Sequence, residues 1–420
     1  MIQKYSNFFD KYLQSVIADG NYRYLSAINK GLKDFPYALY GKEEKKITIW
    51  CSNDYLGMSK DSDVVKASKL ALEQYGVSSG GSRNISGTTN SIMKLENLVA
   101  ENHKKESGLV FTSGYVSNEA TVSALAKIMP NLVVFSDQYN HASIISGISN
   151  SKLQKFIYKH LDMQDLELCL QKIPLERPKI IIFESIYSMN GSISPIEKIC
   201  ELAKKYNALT YIDEVHSVGL YGRGGAGVAD MLDCSQYIDI IQATLAKSYG
   251  SMGGYIVSSK NVIDAVRLAA RGFIFTTALP PVITQAAIKS INILKDSDEK
   301  REKHQKQVSF LKKSFQKGNI PFFKNKTHII PIILGCPFLA KQFSNVLLNQ
   351  YSIFVQHINF PTVPKSTERL RITPTPYHND EMIINLTKAL QEIIKRLNLD
   401  LEKLHNMNNN SFLANIANVS

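Results

Sequence analysis

Between about residue 47 and residue 279 the chain alternates short apolar runs with longer segments in which apolar residues recur at helical spacing. The runs at 108–111, 132–135, 180–183, 209–212 and 238–241 are apolar or nearly so throughout. A strand with one wet face alternates apolar and polar residues, whereas a strand covered on both faces does not. These runs therefore predict strands buried in a mainly parallel sheet, with residues 47–51 as a further short strand. Parallel strands need long crossovers, and helical segments such as 196–206 supply them. The expected class is an α/β fold with the sheet in a large domain.

Beyond residue 296 the pattern changes. Glu299-Lys300-Arg301-Glu302-Lys303 marks an exposed helix. A second alternation follows, with strands at 329–334, 353–356 and 369–372, a helix through Leu347 and another at 380–397. This predicts a smaller α+β domain. The expected division is a polar N-terminal helix and arm (1–46), a large domain (47–290), a small domain (291–404) and a polar, mobile tail (405–420).

Composition narrows the class. The hydrophobic fraction of 44% and charged fraction of 20% suit a globular protein, and no apolar run reaches membrane-spanning length. The first residues lack the apolar core of a secretory signal, and Asp10 and Asp19 do not suit an organelle presequence. Five scattered cysteines without metal-binding or redox spacing point to a reducing cytoplasm and to no metal. Cys336-Pro337 is read as a turn after a buried strand. The net charge of +12 raises nucleic acid as a partner, but the cations are spread along the chain and form no stripe with aromatics. A positive field also attracts anionic small molecules, a CoA thioester among them.

Polar clusters follow the predicted strands: Thr112-Ser113-Gly114-Tyr115, residues 136–141 ending in Asn140-His141, Glu184 to Ser188, Asp213 and Thr244. Ligands of open α/β sheets bind at the carboxyl ends of strands, so the clusters describe one composite site. Within it, Tyr211-Ile212-Asp213-Glu214-Val215-His216 and Thr244-Leu245-Ala246-Lys247 have what pyridoxal phosphate (PLP) requires. The cofactor needs a lysine for a Schiff base, a carboxylate for its pyridine nitrogen and donors for its phosphate. Lys247 is the candidate amine, Asp213 the carboxylate, His216 a partner for the ring hydroxyl, and His141 a ring to stack on the cofactor. Gly222-Arg223-Gly224-Gly225-Ala226-Gly227 satisfies a dinucleotide fingerprint by letter. However, it lies too far past its strand and leaves room for only a short helix.

At this level the sequence resembles the α-oxoamine synthase family of fold-type I PLP enzymes, from about residue 20 to about residue 397. Within that family it is most similar to the branch that joins glycine to succinyl-CoA. The resemblance rests on the Lys247 segment and on Trp50-Cys51-Ser52-Asn53-Asp54-Tyr55-Leu56-Gly57, Ser79 to Gly87, and Asn140-His141-Ala142-Ser143. Phe183 to Met189 and Ile358 to Pro364, leading into Glu368-Arg369-Leu370-Arg371, carry it further. It implies PLP bound by Lys247, paired with Asp213, stacked by His141, with Ser188 and His216 near its hydroxyl and Gly114, Tyr115 and Thr244 on its phosphate. It implies that Thr276 and Thr277 reach the phosphate of a neighbouring subunit in a homodimer with shared sites. Arg371 and Asn53 would hold the amino-acid carboxylate. Arg23, Ser82, Asn84, Ile85 and Ser136 would line the acyl-CoA site, and residues 360–363, Thr362 included, would form a lid over it. Sister enzymes, 2-amino-3-ketobutyrate ligase and 8-amino-7-oxononanoate synthase among them, share much of this pattern. The chain departs from the glycine–succinyl branch at Ser82, usually Thr, at Ala246 and Ser248, usually Gly and Ala, and at His357, usually small or Pro.

Overall fold

The computed structural model describes residues 4–409. The chain forms two compact units. The larger takes Asn53–Ser188 and Ser192–His304, and the smaller takes Met1–Ser52, Met189–Gly191 and Gln305–Ser420.

The larger unit is built on seven strands: β1 (Ser107–Phe111), β2 (Val133–Asp137), β3 (Gln154–Tyr158), β4 (Lys179–Glu184), β5 (Ala208–Asp213), β6 (Ile240–Thr244) and β7 (Gly254–Ser258). Their spatial order is β1-β7-β6-β5-β4-β2-β3. Only β7 pairs antiparallel, with β1 and β6 on its two sides. The remaining pairs are parallel. Strands β1 to β6 therefore all point the same way, and their carboxyl ends share one edge. Every residue of β2, β4 and β6 is buried, the condition their continuous apolarity predicted.

The apolar pattern misses two strands. Strand β3 lies at the sheet edge with Gln154 and Lys155 exposed, so it carries no apolar run. Strand β7 follows a glycine-rich turn that reads as loop. The run at 238–241 is also displaced. Ile238 and Asp239 precede β6 because the Asp239 carboxylate turns aside to accept the Thr210 N–H of β5 at 2.8 Å. Ser136 and Asp137, expected after a strand, are the last residues of β2. The core of this unit joins Phe111, Leu125, Val134, Ile182, Tyr211 and Ile256. Each such side chain contributes about 2 kcal/mol by leaving water.

His103, just past the helix Asn90–Asn102, is buried against this sheet. Its Nε2 meets the Tyr255 hydroxyl at 3.0 Å. Burial, then the nearby Lys105, pushes its pKa down to about 4, against a weaker pull from Asp230. A histidine depressed on folding stabilises fully above its unfolded pKa of about 6.5 and loses that contribution as pH falls towards its folded value. Between pH 7.5 and pH 5 the protein should lose about 2 kcal/mol through this group. Urea unfolding at the two pH values should show that loss reduced in His103→Gln, and equal losses in both proteins would remove His103 as the cause.

The smaller unit carries two sheets. Ile28–Asn29, Tyr37–Tyr40, Lys45–Ile49 and Ile353–Phe354 form one, and Ile330–Ile333, Arg369–Ile372 and His357–Ile358 form the other. Its core gathers Trp50, Phe315, Leu347, Leu370 and Leu390. The Trp50 indole lies 3.9 Å, centre to centre, from the His378 ring. His378 Nδ1 accepts the Thr375 N–H at 2.9 Å, which leaves Nε2 to donate to the Ile49 carbonyl at 3.0 Å. Pro337 opens the helix Pro337–Tyr351 directly after Cys336, the turn expected there.

The N-terminal helix, Ser6–Ala18, is less polar than its expected reading. It buries none of its residues and exposes Phe8, Phe9, Tyr12 and Leu13. The tail expected from residue 405 begins inside the helix Leu401–Met407. Asn408 then acts as a side-chain strand partner, accepting the Ile333 N–H at 2.9 Å and donating to its carbonyl at 3.0 Å. Residues 410–420 lie outside the described residues. No helix among the described residues is long and apolar enough to cross a membrane.

Candidate active site

The shared carboxyl edge of β1 to β6 opens into a cleft lined by Gly114, Tyr115, His141, Asp213, His216, Thr244 and Lys247, all singled out from the sequence. Asn118, Ser143, Glu184 and Val215 complete it.

Asp213 ends β5 and is 4% exposed. Its Oδ2 accepts from Asn118 Nδ2 at 2.8 Å, and its Oδ1 accepts the Val215 N–H at 2.8 Å. Burial raises its pKa. Those two donors, then the positive field of Lys247, oppose the rise. A carboxylate so placed is short of a cation, and a protonated ring nitrogen brought against it would relieve that deficit.

Asn118 organises more than Asp213. It accepts the Tyr211 hydroxyl at 2.8 Å and donates to Ser143 Oγ at 3.0 Å. Ser143 Oγ lies 2.8 Å from His141 Nδ1, and the Ser143 N–H donates to the same nitrogen at 3.2 Å. An Nδ1 that accepts a backbone N–H cannot carry a proton, so His141 is neutral with its proton on Nε2. Burial, then Lys247, lowers the His141 pKa in the same sense, with Asp213 opposing. His141 also caps the helix Ala142–Ser151, which fixes its ring at the cleft wall. His216 is held from another side by the Tyr55 hydroxyl, 2.7 Å from Nδ1.

Lys247 projects from a tight turn between β6 and β7. Thr244 Oγ1 donates to the Gly253 carbonyl at 2.9 Å and accepts the Ala246 N–H at 3.2 Å. The Gly250 N–H closes on the Lys247 carbonyl at 2.8 Å. Gly250 has φ of 61°, and a Cβ there would lie 2.1 Å from the Ser59 nitrogen. Only glycine permits both the turn and the approach.

The helix Gly114–Ile128 begins at the cleft. Ser113 caps it by accepting the Val116 N–H at 3.1 Å, and the N–H groups of Gly114 and Tyr115 belong to its first turn, where no intrahelical acceptor exists. A helix start of this kind favours an anion. A Cβ on Gly114 would meet Thr244 at 3.2 Å, so the space beside Thr244 depends on glycine. A lysine amine, a cation-seeking carboxylate, a flat neutral imidazole and an anion-seeking helix start thus share one cleft, and this donor set fits PLP.

The other predicted residues of the larger unit are not among the cleft lining. Ser188 is buried past β4, its N–H on Glu184 Oε2 at 3.3 Å. Ser136 is buried in β2 and its hydroxyl accepts from Asn140 Nδ2 at 2.8 Å, so it faces the strand's own turn rather than a surface. Asn53 is exposed in the larger unit. Ser82, Asn84, Ile85, Thr276 and Thr277 belong to a second patch of that unit. There Ser82 bridges to Thr277, and the Ala278 N–H donates to Gly81 at 2.9 Å. Ile85 and Phe275 stand out of it, 71% and 77% exposed. In the smaller unit Arg23 Nη2 donates to Thr362 Oγ1 at 2.9 Å, beside Tyr22, His357 and Asn359. Arg371 is buried in the strand Arg369–Ile372.

Of the four residues that complete the cleft, Asn118 was not selected from the sequence, and Glu184 stood in a strand-end cluster with no role of its own. Both left a signal. Ser117-Asn118 and Thr121 put polar residues on the buried face of a helix, and Glu184 ends an apolar strand beside Asp213. Glu214, by contrast, serves the glycine-rich stretch. It accepts the Val228 and Ala229 N–H groups at 3.1 and 2.8 Å, starting the four-residue helix Val228–Met231. No dinucleotide helix follows those glycines.

Comparison with known proteins agrees with this geometry. Residues 45–390 match the family model for class I and II aminotransferases. The chain is 55% identical to 5-aminolevulinate synthase of Rickettsia bellii, over 98% of this chain and 99% of that one. It is 56% identical to the enzyme of the same name from Rickettsia prowazekii, over 96% and 97%. Among solved structures, serine palmitoyltransferase from S. paucimobilis with bound PLP–myriocin superposes with a TM-score of 0.87 at 28% identity, covering 95% of this chain and 99% of that one. With this identity extending over nearly its whole length, the chain belongs to the 5-aminolevulinate synthases of the class I and II aminotransferase family.

Proposed function

We propose that the protein uses PLP to condense glycine with succinyl-CoA, giving 5-aminolevulinate, CoA and carbon dioxide, the first step of tetrapyrrole synthesis. The observation that carries this reading is the opposition of Lys247 and the buried, doubly hydrogen-bonded Asp213 across one cleft. Bound there, PLP supplies an electron sink for charge developing at the α-carbon of an amino acid.

The chain's own residues do the rest. Lys247 Nζ would hold the cofactor covalently, and the same amine would remove and return the glycine α-proton. Asp213 keeps a positive charge at the ring nitrogen. His141 offers a flat, neutral face, and His216 and Ser188 serve the ring hydroxyl. Gly114, Tyr115 and Thr244 receive the phosphate. Arg371 and Asn53 take the glycine carboxylate. The guanidinium of Arg23, with Thr362, suits the distal carboxylate of the succinyl group, since its planar fork matches a carboxylate. Overall a bond forms between the glycine α-carbon and the succinyl carbonyl carbon, the thioester C–S bond breaks, and the glycine carboxyl leaves as carbon dioxide.

The partners follow from the same reading. Thr276 and Thr277 lie outside the cleft lining, which supports a role for them at the phosphate of a second copy. The exposed Phe8, Phe9, Ile85 and Phe275 are the kind of surface a homodimer covers. Five unpaired cysteines support a cytoplasmic location.

Turnover of glycine with succinyl-, acetyl- and long-chain acyl-CoA tests the assignment, and absence of succinyl-CoA activity would overturn it in favour of a sister enzyme. Ser82 bears on acyl choice. The methyl missing there predicts that Ser82→Thr lowers kcat/KM for acyl groups longer than succinyl about tenfold relative to succinyl-CoA. An unchanged ratio would remove Ser82 from the acyl pocket.

A further inference from the structure

Two carboxyl groups stand side by side in the cleft, and only one has a role above. Glu184 ends β4 in direct register with Asp213 at the end of β5, so the two side chains leave the same face of adjacent parallel strands. Both are almost fully buried, Glu184 at 2% and Asp213 at 4% exposure. Their support differs. Asp213 has two donors at 2.8 Å. Glu184 has the Ser188 N–H on Oε2 at 3.3 Å, while its buried Oε1 has no hydrogen-bond partner. That orphaned oxygen belongs to a side chain lining the cleft.

The charges around Glu184 decide its state. Asp213 faces it from β5 and Asp137 from β2. Asp137 itself accepts the Tyr139 and Leu161 N–H groups at 2.8 and 3.1 Å and lies 2.8 Å from His160 Nδ1. Lys247, from the turn after β6, is the cation acting on Glu184, and His141 and His216 share its cleft. Two adjacent carboxyls in a dry site do not both ionise, and the better-solvated one keeps the charge. Here that one is Asp213.

We propose that Glu184 is a neutral acid of this site, holding its proton beside the ionised Asp213 and donating it as a hydrogen bond to an acceptor oxygen of the molecule that fills the cleft. Burial, then the carboxylates of Asp213 and Asp137, holds the Glu184 acid well above the usual carboxyl range, with Lys247 and the Ser188 N–H opposing. The arrangement completes an oxygen that is otherwise buried without a partner, and it keeps a second buried negative charge from standing beside Asp213. The identity of the occupant as PLP or its bound substrate rests on the function proposed above.

Infrared difference spectra of wild type against Glu184→Gln at pH 7, recorded on protein without PLP and again with it, test the protonation directly. A carbonyl band of a protonated carboxylic acid, present in wild type and absent from the variant, is the expected result. Its absence overturns the proposal. The PLP dissociation constant tests the donation. Glu184→Ala should weaken binding about tenfold, and Glu184→Gln, which retains a neutral donor, should recover most of that loss. A glutamine variant as weak as alanine, or an alanine variant equal to wild type, overturns the donor role. A wild-type protein that takes up no PLP would defeat the cofactor reading, while the infrared comparison would still decide the state of Glu184.

Discussion

Replacing Lys247 by alanine is expected to lower turnover of glycine and succinyl-CoA by about ten-thousand-fold or more, and to abolish the visible absorption of the resting protein. Both effects come from one atom. Nζ is the proposed covalent anchor for PLP, and the same amine is the proposed carrier of the proton at the glycine α-carbon. Loss of general acid–base catalysis by itself accounts for about a hundred- to ten-thousand-fold. The turn that carries Lys247 is set by Thr244, Gly250 and Gly253, none of which depends on the lysine side chain, so the variant should fold. Release of CoA thiol gives the rate and the spectrum gives the anchor. A variant that kept its band and came within tenfold of wild-type turnover would dismiss Lys247 from both tasks.

The second large effect is expected at Asp213. Asp213→Asn keeps the size of the side chain and one acceptor oxygen, so it can retain one of the bonds from Asn118 and the Val215 N–H, but it sets an amide donor against the other and removes the negative charge. Turnover should fall about a hundred- to a thousand-fold, the magnitude lost when a preorganised charge facing developing charge is deleted. PLP should also bind more weakly, since a buried cation would be left without its counter-ion. Comparing kcat with the PLP dissociation constant in Asp213→Asn and Asp213→Ala separates charge from packing. If the asparagine variant stayed within threefold of wild type in both, the charge of Asp213 would not be its function.

Much of this site is legible in the chain because strand ends are legible. A buried strand needs a continuous apolar run, and the first polar residues after it fall at the sheet edge whatever the loops do. That is how Asp213, Thr244, His141 and Gly114 announce one site before any coordinates. The lysine turn is legible for a similar reason, since glycines at 250 and 253 mark backbone that must approach other chain closely.

Asn118 and Glu184 show where that logic stops. Asn118 sits inside a helix, one turn past the residues that mark its start. Nothing local tells a buried asparagine that aligns a carboxylate from one that satisfies a neighbouring backbone group. Glu184 ends an apolar run as Asp213 does, but its state depends on the side chain across the strand pair. That register is a property of the sheet.

By itself, then, the sequence determined the α/β class, the five buried runs behind the parallel sheet, the lysine and the carboxylate, because these depend on short-range apolarity and on residue type. The tertiary structure decided that β7 runs antiparallel within that sheet, that Asn118 links Tyr211, Asp213 and Ser143, and that Glu184 stands beside Asp213. These are pairings between residues far apart in the chain, fixed by strand order and register, and no local pattern encodes them.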